Sequence, residues 1–431
     1  METTLHKTME RWGALLLAFY AAGVILFTAG KIGIADALNH TSNPDNWMRA
    51  AEIEPGNGEY WRHLGFYRQY DFENANPILA AEYYRDSVRA NPRSSRYWMD
   101  LGSALQQGGH PKEAREAYKQ AVANYPSSAQ VKWAYGNFLF LQGDTANGIA
   151  ELRQAIVIDP KLRRLAISRG WQAQPDVKVL LDQLLPAQPA AYTAALDFLA
   201  SIQETDAALK VWDRLIALGR PFPLRSTFNF FDEMIQQGRA AEGRQLWKQA
   251  YDVNGLAYDL PAGHSAVWNG GFEHDIANGG FDWQIWGGSG FLVQPDAEVA
   301  HSGKRSMRID FGGGANADFY HLFQYVPVEP GKKYHLSVWL RTNAITTDSG
   351  IRFLLEDPDG NGTVGVLTPS VTGTTPWTRV EADIETGAKS HVLRMQVRRL
   401  QSRQFDNRIE GTAWVDDVSL TPAGDAMAGK P

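Results

Sequence analysis

Three prolines, Pro92, Pro126 and Pro160, recur every 34 residues. A fixed period of that length is the signature of stacked supersecondary units, not of a single closed domain. The same offset maps Gly102 onto Gly136, Leu105 onto Leu139 and Ala121 onto Ala155. Apolar residues between the prolines fall at helical spacing, so each unit is expected to be an antiparallel helix pair. Gly102 and Gly136 sit where two helices must approach closely, Ala114 and Ala121 are the small residues opposite, aromatics fill the remaining gap, and proline closes the second helix. Upstream, Trp61, Leu64, Gly65, Ala80, Tyr84 and Pro92 repeat the pattern with an insertion around Asp71 to Asn76. Trp47, Ala50 and Pro55 read as the second helix of a half unit.

The set Trp98, Leu101, Gly102, Leu105, Ala114, Tyr118, Ala121 and Pro126 resembles the tetratricopeptide repeat at nearly every signature position. That resemblance implies an all-α solenoid over residues 41–160, with protein partners on its concave face. Helical periodicity persists over 161–255, in Tyr192 to Ile202, Asp206 to Leu218, Thr227 to Gln237 and Ala240 to Tyr251. There the signature has decayed, and degenerate helix pairs are expected, with Trp212 and Trp247 near the large-aromatic slot.

Ahead of the array, Trp12 to Gly30 is uncharged and long enough to cross a bilayer as a helix. Lys7 and Arg11 favour a cytoplasmic N-terminus for residues 1–11, with Lys31 weakening the asymmetry. The expectation is a single-pass anchor over 12–30 in a bacterial inner membrane, with the bulk of the chain periplasmic or extracellular. A cleaved signal peptide ending near Ala35-Asp36-Ala37 is the competing reading.

From about Trp268 the period changes. Short alternating runs, Tyr334 to Arg341, Ile351 to Glu356, Trp377 to Ile384, Val392 to Leu400 and Ala413 to Thr421, are separated by Gly, Pro, Asn and Asp. Such runs predict an antiparallel sandwich over 261–421, followed by a disordered tail over 422–431. The fold class is therefore multidomain α + β: a transmembrane helix, an all-α solenoid and a C-terminal β-sandwich of jelly-roll form.

The runs Trp268 to Glu273, Gly280 to Trp283, His301 to Ile309, Val328 to Tyr334, Thr375 to Thr378 and Val415 to Leu420 together resemble the jelly-roll carbohydrate-binding modules of families four and nine. The resemblance implies a non-catalytic domain that binds a polysaccharide or oligosaccharide. Sugars need aromatic faces and converging polar groups. Alternation puts Trp339 and Arg341 on the outward face of one strand and Arg394, Gln396 and Arg398 on that of another. If these strands are neighbours, the five form one aromatic and cationic platform suited to acidic sugars. Trp286 is expected on the cleft rim, whereas Trp283 matches a structural position. The resemblance also implies a structural calcium at Glu273 with Asp416 and Asp417, Asp416 sharing the inward parity of Val418 and Leu420. Asp357 to Gly362 matches half of an EF-hand loop, but Thr368 stands where the twelfth ligand is needed, so a hairpin turn is expected.

The chain has no cysteine, which removes disulfides and thiolate metal sites, and its net charge of -6 disfavours nucleic-acid binding. It carries no Walker loop, G-x-S-x-G or H-E-x-x-H motif. The expected function is a membrane-anchored, non-catalytic scaffold that binds glycan through the jelly roll and proteins through the array, in polysaccharide assembly, export or envelope organisation. A protein scaffold with a silent jelly roll and a glycoside-active enzyme are the alternatives.

Overall fold

The computed structural model describes residues 2–258, 265–358 and 365–423, with side chains from residue 12 onward. The expected domain start at Pro261, most of the Asp357 to Gly362 turn and most of the 422–431 tail lie outside the described residues. The chain divides into two compact units, Met1–Pro186 and Ala187–Pro431.

The first unit is helical: α1 (Glu2–Asn39), α2 (Pro44–Ile53), α3 (Gly58–Tyr70), α4 (Pro77–Ala90), α5 (Ser95–Gln107), α6 (Pro111–Asn124), α7 (Ala129–Leu141), α8 (Thr145–Ile158), α9 (Arg163–Ala173) and a short α10 (Val177–Val179) that runs into a π-turn. Side chains of Asn57, Asn76, Ser94 and Ser128 accept the first amides of their helices. Pro44, Pro77 and Pro111 occupy first-turn positions that need no amide hydrogen.

The period has a visible cause. A Cβ on Gly65 would fall 2.7 Å from the Tyr84 ring, and one on Gly102 3.0 Å from that of Tyr118. In the α3–α4 and α5–α6 pairs the two helices therefore touch across a glycine and a tyrosine, whereas Gly136 of α7 meets Leu152 of α8. Indole nitrogens of Trp61 and Trp98 donate to the carbonyls of Pro55 and Pro92, at 3.0 and 2.8 Å, tying each helix to the turn before it.

Helix α1 is continuous. Its Trp12–Asn39 segment is long and apolar enough to cross a bilayer, and the side chains of 12–30 are exposed. Beyond them Ala35 is fully buried and Leu38 packs with Ala50, Ala51, Tyr60 and Leu64 in the first core of the array. The Asn39 side chain bonds the His63 ring at 2.8 Å.

Among the described residues the second unit holds four α-helices, α11 (Pro189–Ser201), α12 (Thr205–Ala217), α13 (Phe228–Gln236) and α14 (Ala240–Asn254), and ten strands. These are β1 (Gln284–Ile285), β2 (Phe291–Asp296), β3 (Ser306–Gly312), β4 (Phe319–Pro327), β5 (Lys333–Ile345), β6 (Arg352–Glu356), β7 (Gly365–Leu367), β8 (Gly373–Glu385), β9 (Val392–Arg399) and β10 (Glu410–Pro422). They form two antiparallel sheets, one ordered β1-β4-β9-β6-β7 (sheet 1) and the other β2-β3-β10-β5-β8 (sheet 2). Leu322, Phe353, Leu355, Met395 and Val397 from sheet 1 meet Met307, Ile309, Leu336, Val338 and Val415 from sheet 2 in one core.

The helices and the sandwich share a second, aromatic core. Trp247 and Tyr251 of α14 stand edge-on to Trp268, at 6.5 and 4.8 Å between ring centroids, and Phe281 meets Phe231 at 5.9 Å. Gly279 and Gly280 give this approach its room, because a Cβ at either would run into Phe228 or Trp247, and Gly280 holds φ 58°. Arg244 is drawn in over the Trp268 ring at 4.3 Å. Trp268→Ala is expected to cost about 3–5 kcal/mol. In hydrogen exchange on the full chain, amide protection should fall both in α14 and in residues 277–283. Loss on one side only would show that the two do not share this core.

Candidate functional site

Alternation along β9 is as the sequence implies: Leu393, Met395 and Val397 are in the core, and Arg394, Gln396 and Arg398 face outward. The single five-residue platform does not form. Strand β5 lies in sheet 2 between β10 and β8, whereas β9 lies in sheet 1 between β4 and β6. Trp339 and Arg341 are therefore on the opposite face of the sandwich from Arg394, Gln396 and Arg398. Periodicity reports which way a side chain points relative to its own sheet, not which sheet its strand joins.

On the outer face of sheet 2 the aromatic and charged groups are paired with one another, beside a cavity of about 530 Å³ lined by Ser337, Trp339 and Arg379 among others. Trp339 lies under the ring of His301, stacked at 3.8 Å, with Trp377 edge-on to the same ring at 5.7 Å. Arg341 sits over Trp414 at 5.3 Å, and the Trp414 indole donates to Asp296 at 2.8 Å. His335 bonds both Asp383 and Glu381, and Arg379 pairs with Glu381 at 2.9 Å. Charge and aromatic surface there are matched within the protein.

The outer face of sheet 1 is different. Register places Tyr325 beside Arg394 and Arg394 beside Glu356; in the next row Phe323 is beside Gln396 and Gln396 beside Leu354. Trp286 follows β1, its amide donating to the His321 carbonyl at 2.8 Å, and it remains 48% exposed. Its ring meets Phe323 edge-on at 4.7 Å, and the Arg394 guanidinium lies 4.7 Å from Phe323 and 5.7 Å from Trp286. Phe323 is thus a buried support that sequence reading missed; its strand alternates weakly because both faces of β4 are apolar.

Among the described residues, several polar atoms on this face have no hydrogen-bond partner. Gln396 is only 3% exposed; its amide nitrogen donates to Glu356 at 2.8 Å, while its Oε1 is unbonded. Nε of Arg394 and of Arg352 are likewise buried and unbonded. Leaving a buried donor or acceptor unpaired costs about 1–3 kcal/mol, so this face is less completely bonded than a finished core. One end of the face is walled by helix: Gly238, between α13 and α14, stands against His391. Burial raises the Tyr325 hydroxyl above its ordinary value, with Asp232 of α13 and Glu356 adding to the effect and Arg394 opposing it.

Trp283 is fully buried, donates from its indole to the Asn269 carbonyl at 3.1 Å and packs on Phe272, a structural position. Glu273, Asp416 and Asp417 do gather around one loop, residues 301–305. Asp416 is fully buried but not in the core. Opposite β5, the register advances from Asp416–Trp339 to Ser419–Ser337 with one extra residue, a bulge at Asp417, whose φ is 47°. The bulge reverses the parity inferred from Val418 and Leu420, and Asp416 is buried under the loop instead.

There Asp416 accepts amides of His301 (2.7 Å), Ser302 (3.3 Å) and Asp417 (2.8 Å). Asp417 bonds the His301 ring (2.6 Å) and the Ser302 hydroxyl (2.7 Å), and Glu273 accepts the amides of Lys304 (2.8 Å) and Arg305 (3.1 Å). Among the described residues no group of three or more His, Asp or Glu is placed to hold a metal ion. As arranged, this donor set fits a clasp of N–H and O–H donors and not a calcium cage.

Residues 264–399 match the carbohydrate binding domain family of the 4/9 type, and residues 101–162 match the tetratricopeptide repeat. No curated protein matches the chain. Among solved structures, a family 16 carbohydrate binding module is 20% identical, over 36% of this chain and 99% of its own, with a TM-score of 0.27. The CBM22-1 xylan-binding domain of Paenibacillus barcinonensis Xyn10C is 15% identical, over 32% and 85%, with a TM-score of 0.23. The MamA protein is 18% identical, over 46% and 92%, with a TM-score of 0.24.

Two outcomes follow for the carboxylates. Burial raises the Asp282 pKa to about 6, against the opposing influence of amides from Ala277 and Trp283, the Tyr251 hydroxyl and the Arg244 charge. A carboxyl whose folded pKa is raised stabilises the fold below its unfolded pKa of 3.8 and loses that contribution as pH rises through 6. The second unit should therefore gain about 1 kcal/mol from this group between pH 7 and pH 5, a gain absent in Asp282→Asn when denaturant melts are compared. Chelator should leave the melting temperature unchanged, whereas Glu273→Ala should lower it; a chelator-sensitive melt would show a resident cation at the clasp.

Proposed function

We propose that this chain is a membrane-anchored, non-catalytic scaffold that holds a glycan on the outer face of sheet 1 and docks protein partners on its tetratricopeptide array, in polysaccharide assembly or export or in envelope organisation. One observation carries the glycan reading. Within a segment that matches a carbohydrate binding domain, one face of the sandwich presents an open tryptophan, a supporting phenylalanine and buried polar atoms that lack partners. The aromatic surface suits the C–H face of a sugar, and Arg394, Gln396 and Glu356 suit its hydroxyls.

Support for an uncleaved anchor comes from α1. Its helix continues without a break through Ala35–Ala37, and Ala35 is fully buried in the first core of the array. Cleavage there would remove the residue that fills that core. Lys7 and Arg11 then favour an N-terminus in the cytoplasm and the remaining chain outside it.

The test is a glycan array probed with the detergent-solubilised full chain. Trp286→Ala is expected to weaken binding by about tenfold or more, while Trp339→Ala, on the opposite face, leaves it unchanged. The reverse pattern would move the site to sheet 2. A folded protein that binds no glycan would leave the protein-scaffold reading in its place.

A further inference from the structure

Towards the C-terminal end of β9 the outer face of sheet 1 changes from aromatic to cationic. Arg352 of β6 and Arg398 of β9 are direct cross-strand partners, and like charges in that relation destabilise a strand pair. Arg398 has its own partners: Asp318, the Phe319 carbonyl at 3.0 Å and the Arg399 carbonyl at 2.8 Å. Arg352 is placed less comfortably, its Nε buried without a hydrogen bond. Burial, and then the Arg398 charge, lower its pKa.

Behind this pair lies a third cation. Arg399 is fully buried, and among the described residues its hydrogen bonds go to neutral acceptors, the carbonyls of Ser349, Ala317 and Asn407 and the side chains of Asn316 and Thr347. These bonds pin three loops around a cavity of about 700 Å³ lined by Arg352, Arg398, Arg403, Asp318 and Asp348 among others. Asp318 is taken by Arg398, and Asp348 accepts the Ser402 hydroxyl at 2.5 Å. Arg403 is exposed on the same loop, and Phe405 beyond it stands wholly clear of the protein.

We infer that this cavity is a subsite for a carboxylate-bearing sugar residue, its carboxylate received by Arg352 and Arg403 at the end of the aromatic face. This rests on the glycan-binding reading of that face and adds to it the class of sugar. A planar guanidinium fork pairs bidentately with carboxylate, and an anion here offsets the Arg352–Arg398 repulsion. Neutral hydroxyls would leave the repulsion in place.

The experiment uses the detergent-solubilised full chain on an array that carries neutral oligosaccharides beside their uronate counterparts, followed by titration of the best pair at low and high salt. Uronates should bind at least about tenfold tighter than their neutral counterparts, and only the uronate affinity should fall with salt. In Arg352→Gln the preference should disappear while neutral binding persists, and Arg352→Lys, which keeps charge without the fork, should fall between. Unchanged melting temperatures separate these effects from misfolding. Equal binding of neutral and uronate partners, or a preference that survives Arg352→Gln, would overturn the subsite and leave the glycan reading standing. Silence across the array from folded protein would overturn both.

Discussion

The second unit depends on one contact, the insertion of Trp268 between α14 and the sandwich. Its ring is met by Trp247, Tyr251 and Arg244 from the helix. Its backbone is held by Gln324 of β4, which accepts from the Trp268 amide and donates to its carbonyl, both at 2.8 Å. The glutamine takes the place of a strand edge inside the core, where an unpaired peptide would be costly. Because β4 also carries Phe323 on its outer face, the residue that anchors the helices and the residue that supports Trp286 belong to one strand. Disturbing the helical contact would therefore be felt at the aromatic face.

The two outer faces of the sandwich have similar composition and opposite character. Sheet 2 places each cation against an anion or a ring, and Trp339 under His301. Sheet 1 buries arginine and glutamine atoms without completing their bonds. Stability alone would favour the first arrangement, and the second departs from it.

Much of this was legible in the sequence. The 34-residue period with its close helix approach at glycine, the change to alternating strands, and the outward parity of Arg394 and Arg398 all follow from local spacing, while the structural place of Trp283 came from the family resemblance. Sheet membership did not, because β5 and β9 alternate alike and only long-range pairing separates them. The bulge at Asp417 was hidden for a related reason: one extra residue reverses parity without leaving a compositional mark. Phe323 and Arg352 were missed since each reads alone as ordinary strand; their meaning comes from neighbours far away in the chain.

Helix α1 joins an apolar stretch to the first core of the array with no turn between them. An unbroken helix carries torsion as well as position. Each residue added or removed between Gly30 and Ile34 would rotate the array about the helix axis by about 100° relative to the apolar stretch and shift it by about 1.5 Å. The azimuth of the first repeats is thus written in the residue count of this short junction, a phase setting that a flexible linker of the same length could not hold.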